Sequence, residues 1–314
     1  MSVDYARIEN TLGKFAAYLA NHDSICVSVS GGSDSDIIVN IICERFRRYL
    51  HKIHFAFANT GIEYRATLRH LDDLERRYGI KIERLMGVPI PIAVRTFGVP
   101  FVSKQTSEYL QRLQKHDFKY EDLPFEELWA KYPQCKVGVR FWTNDWGEKS
   151  RFNINWQPGL KEFLLSEKPE TRFSAECCTI SKKKVLTEYQ HSIHADLYIT
   201  GERKSEGGAR AGAHKSCFEH SDKHGMDHFM PLWFWDDETK AFYKKVGGIQ
   251  YSDCYEVWGL KRTGCVGCPF ARNLESELKL MQQYEPGCYK LCQHVFGESY
   301  ELQRKFKQFK EVNK

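Results

Sequence analysis

The sequence predicts an α/β protein built on a parallel sheet flanked by helices, with a helical insertion and a cysteine-rich C-terminal part. Three observations carry that prediction. Short apolar runs alternate with segments of helical period from Ser24 onward. The first run ends in Ser30-Gly31-Gly32-Ser33-Asp34-Ser35, a glycine turn between a strand and a helix. Among eleven cysteines, Cys177-Cys178 and Cys265-x-x-Cys268 stand as clusters.

Ser24 to Ser30 reads as a buried parallel strand, and the following run places Ile37, Ile38, Ile41, Ile42 and Phe46 on one helical face. Between them, Gly31 and Gly32 let the backbone approach a ligand, and the helix start offers free N–H groups and its positive dipole end. That geometry favours phosphate. Asp34 and Ser35 also fit as N-caps of an ordinary strand–helix turn. No Gly-Lys-Ser/Thr follows, so this is not a Walker loop.

A second strand is expected over Lys52 to Ala58, a turn over Asn59 to Thr67, and a helix with Leu68, Leu71 and Leu74 on one face. A third strand is expected over Lys81 to Met86. From Pro89 to Glu170 the aromatics among Lys and Arg read as the core of a small helical insertion rather than as platforms for stacked bases. Ala195 to Thr200 is strand-like, and the turn after it carries Gly201, Arg203, Glu206 and Arg210. Arginines at a strand end can fork onto phosphate or sulfate oxygens; the plainer reading is a solvated basic loop. The C-terminal stretch reads as an amphipathic helix with Cys288 and Cys292 four residues apart on one face.

Adjacent thiolates such as Cys177 and Cys178 do not suit one zinc ion, whereas a cubane cluster presents several irons and accepts neighbours. The alternative is a four-cysteine zinc site through Cys265, Cys268 and two of Cys254, Cys288 and Cys292, with Cys217 able to substitute. Bulk composition agrees with a globular protein: 314 residues, 42% hydrophobic and 14% aromatic. No stretch approaches the roughly 18 apolar residues of a membrane span, and the first residues lack the apolar core of a signal peptide, so a cytoplasmic protein with no membrane partner is expected. In a reducing compartment the cysteines point to metal or redox chemistry rather than disulfides. The net charge of +5 suits an anionic substrate without the basic density of a dedicated nucleic-acid binder.

Ser30 to Ser35 resembles the SGGxDS loop of the N-type (PP-loop) ATP pyrophosphatases. Asn59 to Thr67 resembles the DTGxxFPET segment of the phosphoadenosine phosphosulfate (PAPS) reductase family, with Asn59 in place of Asp and Arg65-Ala66 in place of Pro-Glu. Gly98 to Lys104 resembles that family's Gly-x-Pro segment, and Gly201 to Arg210 its GxRxxES-x-x-R pattern with Gly207 at the Ser position. The Cys-Cys, long gap, Cys-x-x-Cys order is similar to the [4Fe–4S] signature of adenylyl-sulfate (APS) reductases. The likeness runs from about Ser24 to Phe270. It implies an adenine nucleotide α-hydrolase-like (Rossmann-like) fold, with residues 1–270 as one domain interrupted by an insertion near 89–170 and residues 271–314 as a helical extension.

For the site, the resemblance implies Ser30, Gly31, Gly32, Ser33, Asp34, Ser35, Thr60, Gly61 and Gly201 around ATP or an adenylyl-sulfate. It further implies catalytic roles for Asp34, Arg203 and Arg210, Mg²⁺ on the phosphates, and a [4Fe–4S] cluster on Cys177, Cys178, Cys265 and Cys268. Reductases of the family carry a nucleophile in a Glu-Cys-Gly-x-His motif, which this sequence lacks. The resemblance is therefore closest to reductase-like proteins of nucleic-acid sulfur modification, such as DNA phosphorothioation. It implies an adenylating ATP pyrophosphatase acting in sulfur transfer, with a cysteine desulfurase or other sulfur donor and nucleic acid as partners. A sulfonucleotide reductase, or a nucleotide-binding scaffold with a structural zinc, remains as an alternative.

Overall fold

The structure, a computed structural model, describes residues 4–207, 212, 214–221 and 225–313. It divides into two compact units, one of residues 1–87 with 182–264 and one of residues 88–181 with 265–314. Among the described residues no helix is long and apolar enough to cross a membrane.

In the first unit, α1 (Tyr5–Asn21) starts at Asp4, whose carboxylate accepts from the Arg7 amide, and leads into β1 (Ile25–Ser28). The chain continues through α2 (Ser33–Arg45), β2 (Ile53–Asn59), α3 (Arg65–Tyr78) and β3 (Ile82–Met86). It then enters the second unit with α4 (Ile90–Phe97), α5 (Lys104–Gln114), α6 (Phe125–Lys131), α7 (Lys136–Trp142), α8 (Leu160–Glu167) and the single turn α9 (Glu176–Cys178). The first unit resumes with α10 (Lys184–Ser192), β4 (Leu197–Ile199), β5 (Phe218–Glu219), β6 (Asp227–Phe229), α11 (Asp237–Val246) and α12 (Asp253–Glu256). The second closes with α13 (Leu274–Tyr284) and α14 (Pro286–Val312).

The sheet has the order β3-β2-β1-β4-β6-β5, with every pairing parallel except that of β5 with β6. Ile25 of β1 lies opposite Ile53 on one side and Leu197 on the other, so β1 is an interior strand. Its Ile25, Cys26 and Val27 are fully buried, as a strand covered on both faces requires. The four strands expected from the sequence are all present within two or three residues of their expected ends.

The helix after β1 departs from expectation. Its apolar spacing predicts an amphipathic helix, but every residue from Ser35 to Cys43 is buried. Val39 sits in the same core cluster as Ile37, Ile38, Ile41 and Ile42, so the helix is packed on all sides rather than along one stripe. Two of its polar positions meet α3 instead of water. Asn40 donates to the Tyr78 hydroxyl at 3.0 Å, and Asp36 Oδ2 lies 2.8 Å from His70 Nε2.

In the second unit the insertion is helical, as expected. Its aromatics form a core: Phe118 meets Trp142 edge to face at 5.0 Å, and Phe101 stacks on Phe173 at 5.0 Å. Trp129 and Phe152 are left exposed. The C-terminal helix α14 belongs to this core, through Phe306 against Phe163 at 5.2 Å and the Ser299 hydroxyl donating to the Pro100 carbonyl.

The buried Asp36–His70 pair couples stability to pH. Burial disfavours a charged His70, but the Asp36 hydrogen bond and charge outweigh it and the imidazole ends above its ordinary value of 6.5. Burial also pushes the Asp36 carboxyl up, against the pull of His70. Both shifts have one sign. Protons held more tightly in the folded state stabilise it below the unfolded-state values, and that contribution is lost as pH rises through the folded values. Thermal melts should therefore show stability falling as pH rises above 6.5, and His70→Gln should flatten this dependence. At pH 6 that substitution should cost about 3 kcal/mol, the scale for removing one partner of a buried pair.

Candidate functional site

The Val29 amide donates to the Ala56 carbonyl at 2.8 Å, carrying the β1–β2 ladder up to the glycine turn. Gly32 is the N-cap of α2, with φ −96° and no side-chain cap bond, so the role of N-cap falls to neither Asp34 nor Ser35. Ser35 ties the turn together instead: its hydroxyl donates to the Gly32 carbonyl at 2.8 Å and accepts from the Ser30 amide at 3.2 Å. Gly31 has φ +64°, and a Cβ there would lie 2.6 Å from Thr67 Cγ2 of α3. A Cβ on Gly32 would lie 3.0 Å from Ser30 Oγ and 3.3 Å from Thr263 Oγ1 and the Tyr255 hydroxyl. The turn is thus closed in by α3 and by the segment after α12, and only glycine fits at its first position.

Asp34 carries the charge at this turn. Its Oδ1 lies 2.9 Å from Arg203 Nε and 2.9 Å from Lys240 Nζ. Arg203 also donates to Asp237 Oδ1 at 2.8 Å and to Ser205 Oγ at 3.0 Å, and Lys240 donates to Ser33 Oγ at 2.5 Å. The side chains of Arg203, Lys240 and Asp34 are only 9%, 14% and 17% exposed. Arg203 Nε and Asp34 Oδ1 stand at ion-pair distance but are not aligned for a hydrogen bond, and both lack one. Asp36 Oδ1, the Tyr251 hydroxyl and Ser252 Oγ are likewise buried without a hydrogen-bond partner.

Thr60 and Gly61 follow β2. The Thr60 amide and hydroxyl donate to Glu63 Oε1 at 3.0 and 2.7 Å, and the Gly61 amide donates to Asn59 Oδ1 at 2.9 Å. Asn59 therefore supplies the side-chain acceptor of this turn in place of the expected Asp. Gly201 follows β4, where a Cβ would stand 3.2 Å from Asp34 and from the Ser35 amide. The expected residues Ser30 to Ser35, Thr60, Gly61, Gly201 and Arg203 thus gather at the carboxyl ends of three adjacent strands, where open α/β sheets hold ligands. Arg210 lies outside the described residues.

Lys240 is a residue of this site that no sequence motif marks. It sits in α11, whose start Asp236 caps by accepting from the Thr239 amide at 2.7 Å. Its one signal was its place in a Thr-Lys step among acids, which is also how a solvated helix face reads.

In the second unit, the Cys265-x-x-Cys268 turn closes with the Cys268 amide donating to the Cys265 carbonyl at 3.1 Å, and Gly267 has φ +61°. Cys177 is buried, and its thiol is pushed up first by Cys178, then by burial, then by the charges of Cys268 and Cys265. Cys177 is therefore within electrostatic reach of the other three expected ligands. No three of these four sulfurs fall within 4.8 Å of each other. Behind the turn, a Cβ on Gly267 would lie 2.7 Å from both Cys292 Sγ and the Tyr300 hydroxyl, and that hydroxyl donates to the Gly267 carbonyl. Cys292 is fully buried on α14 and its thiol is pushed up by Cys288 and by burial. Of the other zinc-ligand alternatives, Cys254 lies 3.8 Å from Thr67 Oγ1 and Cys217 lies 3.1 Å from Lys14 Nζ, both within the first unit.

Residues 155–271 match the family model of the phosphoadenosine phosphosulfate reductase domain. An uncharacterized protein of Methanocaldococcus jannaschii is 36% identical over 76 residues, 24% of this chain and 15% of that protein's length. Among solved structures, a PAPS reductase of Candida auris in a phosphate complex is similar with TM-score 0.45 and 12% identity, over 84% of this chain and 97% of that one. The U34-tRNA thiolase NcsA of Methanococcus maripaludis with its [4Fe-4S] cluster is similar with TM-score 0.40 and 13% identity, over 98% and 81%. An NH3-dependent NAD synthetase of Campylobacter jejuni in complex with nitrate gives TM-score 0.38 and 11% identity, over 95% of each chain. The stretch similar to the phosphoadenosine phosphosulfate reductase domain takes in Cys177, Cys178, Gly201, Arg203, Cys265 and Cys268.

Proposed function

We propose that this chain is a PP-loop enzyme of sulfur metabolism that adenylates an acceptor and serves transfer of sulfur to it. The observation that carries the reading is the glycine turn with Asp34 held between Arg203 and Lys240. A polyphosphate at the turn would meet the N–H groups opening α2 and draw Arg203 and Lys240 from Asp34 onto its oxygens. Attack of the acceptor on the α-phosphorus breaks its bond to the bridging oxygen, which leaves with the electron pair as pyrophosphate. Preorganised cations and amides stabilise that charge, and no side-chain nucleophile is required.

Two groups are expected in addition. The buried carboxylate oxygen Asp34 Oδ1, which lacks an aligned hydrogen bond, is the hard donor that fits Mg²⁺, whose chemistry is further neutralisation of the phosphates. Cys177, Cys178, Cys265 and Cys268 are a soft four-thiol set that fits a [4Fe–4S] cluster, which would supply iron for the sulfur in transit. The resemblance to sulfur-modification proteins makes nucleic acid the acceptor class and a cysteine desulfurase or other donor the sulfur source. The cytoplasm is the compartment this chemistry suits.

The rival, sulfonucleotide reduction, needs an accessible thiolate. Cys292 is buried in a helix with its thiol pushed up, which does not suit that role.

With ATP and candidate nucleic acids, the protein should release pyrophosphate and form no sulfite from APS or PAPS with a thiol reductant. Sulfite formation abolished by replacing Cys288 and Cys292 would make it a reductase. Protein purified without oxygen should be brown and contain iron and sulfide, and Cys265→Ser or Cys268→Ser should remove the colour. A colourless protein with one zinc at these cysteines would instead support the binding scaffold.

Two substitutions test the turn itself. Lys240→Met removes one charge-assisted phosphate contact, worth about 1.5–3 kcal/mol, and should weaken ATP binding about 10- to 100-fold in calorimetry. Gly31→Ala, which forces a methyl against Thr67, should lower ATP affinity at least as far while circular dichroism stays near wild type.

A further inference from the structure

The antiparallel edge of the sheet carries a separate donor cluster. Glu219 on β5 is the cross-strand partner of His228 on β6, and residues directly opposed in an antiparallel pair share a face. His214 joins them from the segment before β5. Its Nδ1 lies 2.8 Å from Glu219 Oε1, and its ring meets that of His228 edge to face at 5.6 Å. Among the described residues, these three are the one set of His, Cys, Asp or Glu whose ligand atoms all lie within 4.8 Å of one another.

The surroundings match a built site rather than a chance ion pair. His228 Nε2 lies 2.8 Å from Thr200 Oγ1, and His214 Nε2 lies 3.6 Å from Glu202 Oε2, so each imidazole is steered by a polar outer partner. Metal-binding histidines are oriented in this way, by a carboxylate or other oxygen on the second ring nitrogen. All three donors are half-buried, which shields them while leaving them reachable.

We propose that His214, Glu219 and His228 form a binding site for a divalent transition metal, with zinc the ion that fits. Two imidazole nitrogens are borderline donors, and one harder carboxylate oxygen completes a set of the kind that zinc accepts. They suit zinc, whereas calcium and magnesium take shells of oxygen. Three protein ligands leave one coordination position for water. The ion would fasten the two-residue strand β5 and the segment before it to β6. Thr200 and Glu202 lead directly to Arg203, so the metal would also brace the loop that carries this arginine. The assignment does not depend on the proposed adenylation.

The test is zinc titration of anaerobically purified, chelator-washed protein against a chromophoric chelator, with thermal melts alongside. The double variant Cys265→Ser/Cys268→Ser should still bind one equivalent of zinc and melt at a higher temperature when zinc is added. His214→Gln and Glu219→Gln, both at half-exposed positions, should each weaken that binding at least tenfold and remove the thermal shift. Because His228 lies within a strand, these two variants decide the matter if His228→Gln fails to fold. Zinc binding lost in the cysteine variant, absent altogether, or unchanged by both His214→Gln and Glu219→Gln would overturn the proposal.

Discussion

The Asp34 carboxylate, set between Arg203 and Lys240 at the start of α2, is the contact on which the carboxyl edge of the first unit's sheet depends. One carboxylate faces two cations at 2.9 Å, and all three side chains are mostly buried. Asp237 also touches Arg203, but it is 88% exposed and screened by water. The positive end of the α2 dipole adds to the same side. The two cations are held in a poorly solvated place, where an arriving anion would meet them with little water to displace. Without Asp34 the two cations would repel each other across the glycine turn. With it, they are held close to where phosphate oxygens would arrive.

That arrangement rests on the topology. Because β1 is interior, the ends of β2 and β4 flank its turn, and residues far apart in sequence meet there without long connections. Two close approaches fix the meeting: Gly31 against Thr67 of α3, and Gly201 against Asp34 and Ser35. Beneath the turn, Asp36 and His70 lock α2 to α3 inside the core. The turn is stiff because each of its neighbours is held by packing or by a buried polar contact, and such stiffness is what electrostatic preorganisation needs.

Much of this was legible in the sequence, for physical reasons that differ by element. Parallel interior strands leave continuous apolar runs, and the glycines leave a break where no side chain fits, so β1 and its turn could be placed from letters alone. The burial of α2 on all sides was not legible. Ser35, Asp36 and Asn40 look like a solvent face until Ser35 is seen to tie the glycine turn and His70 and Tyr78 to meet the other two. Lys240 was hidden because a lysine that salt-bridges across the fold has the same local pattern as one in water. The cluster of His214, Glu219 and His228 was hidden by spacing, since its members converge through strand pairing rather than through a short motif.

The cysteines follow a different logic from the charges at the turn. Cys177 is raised by Cys178, by burial and by the charges of Cys268 and Cys265, so this thiol holds its proton. The Cys265-x-x-Cys268 turn is held by packing. Gly267 is pressed against Cys292 and Tyr300, so the turn is held by the α14 side of its own unit even before any ligand is bound. Cys292 then serves as a wall behind the turn, and its buried, proton-retaining thiol fits that supporting part better than the part of a nucleophile.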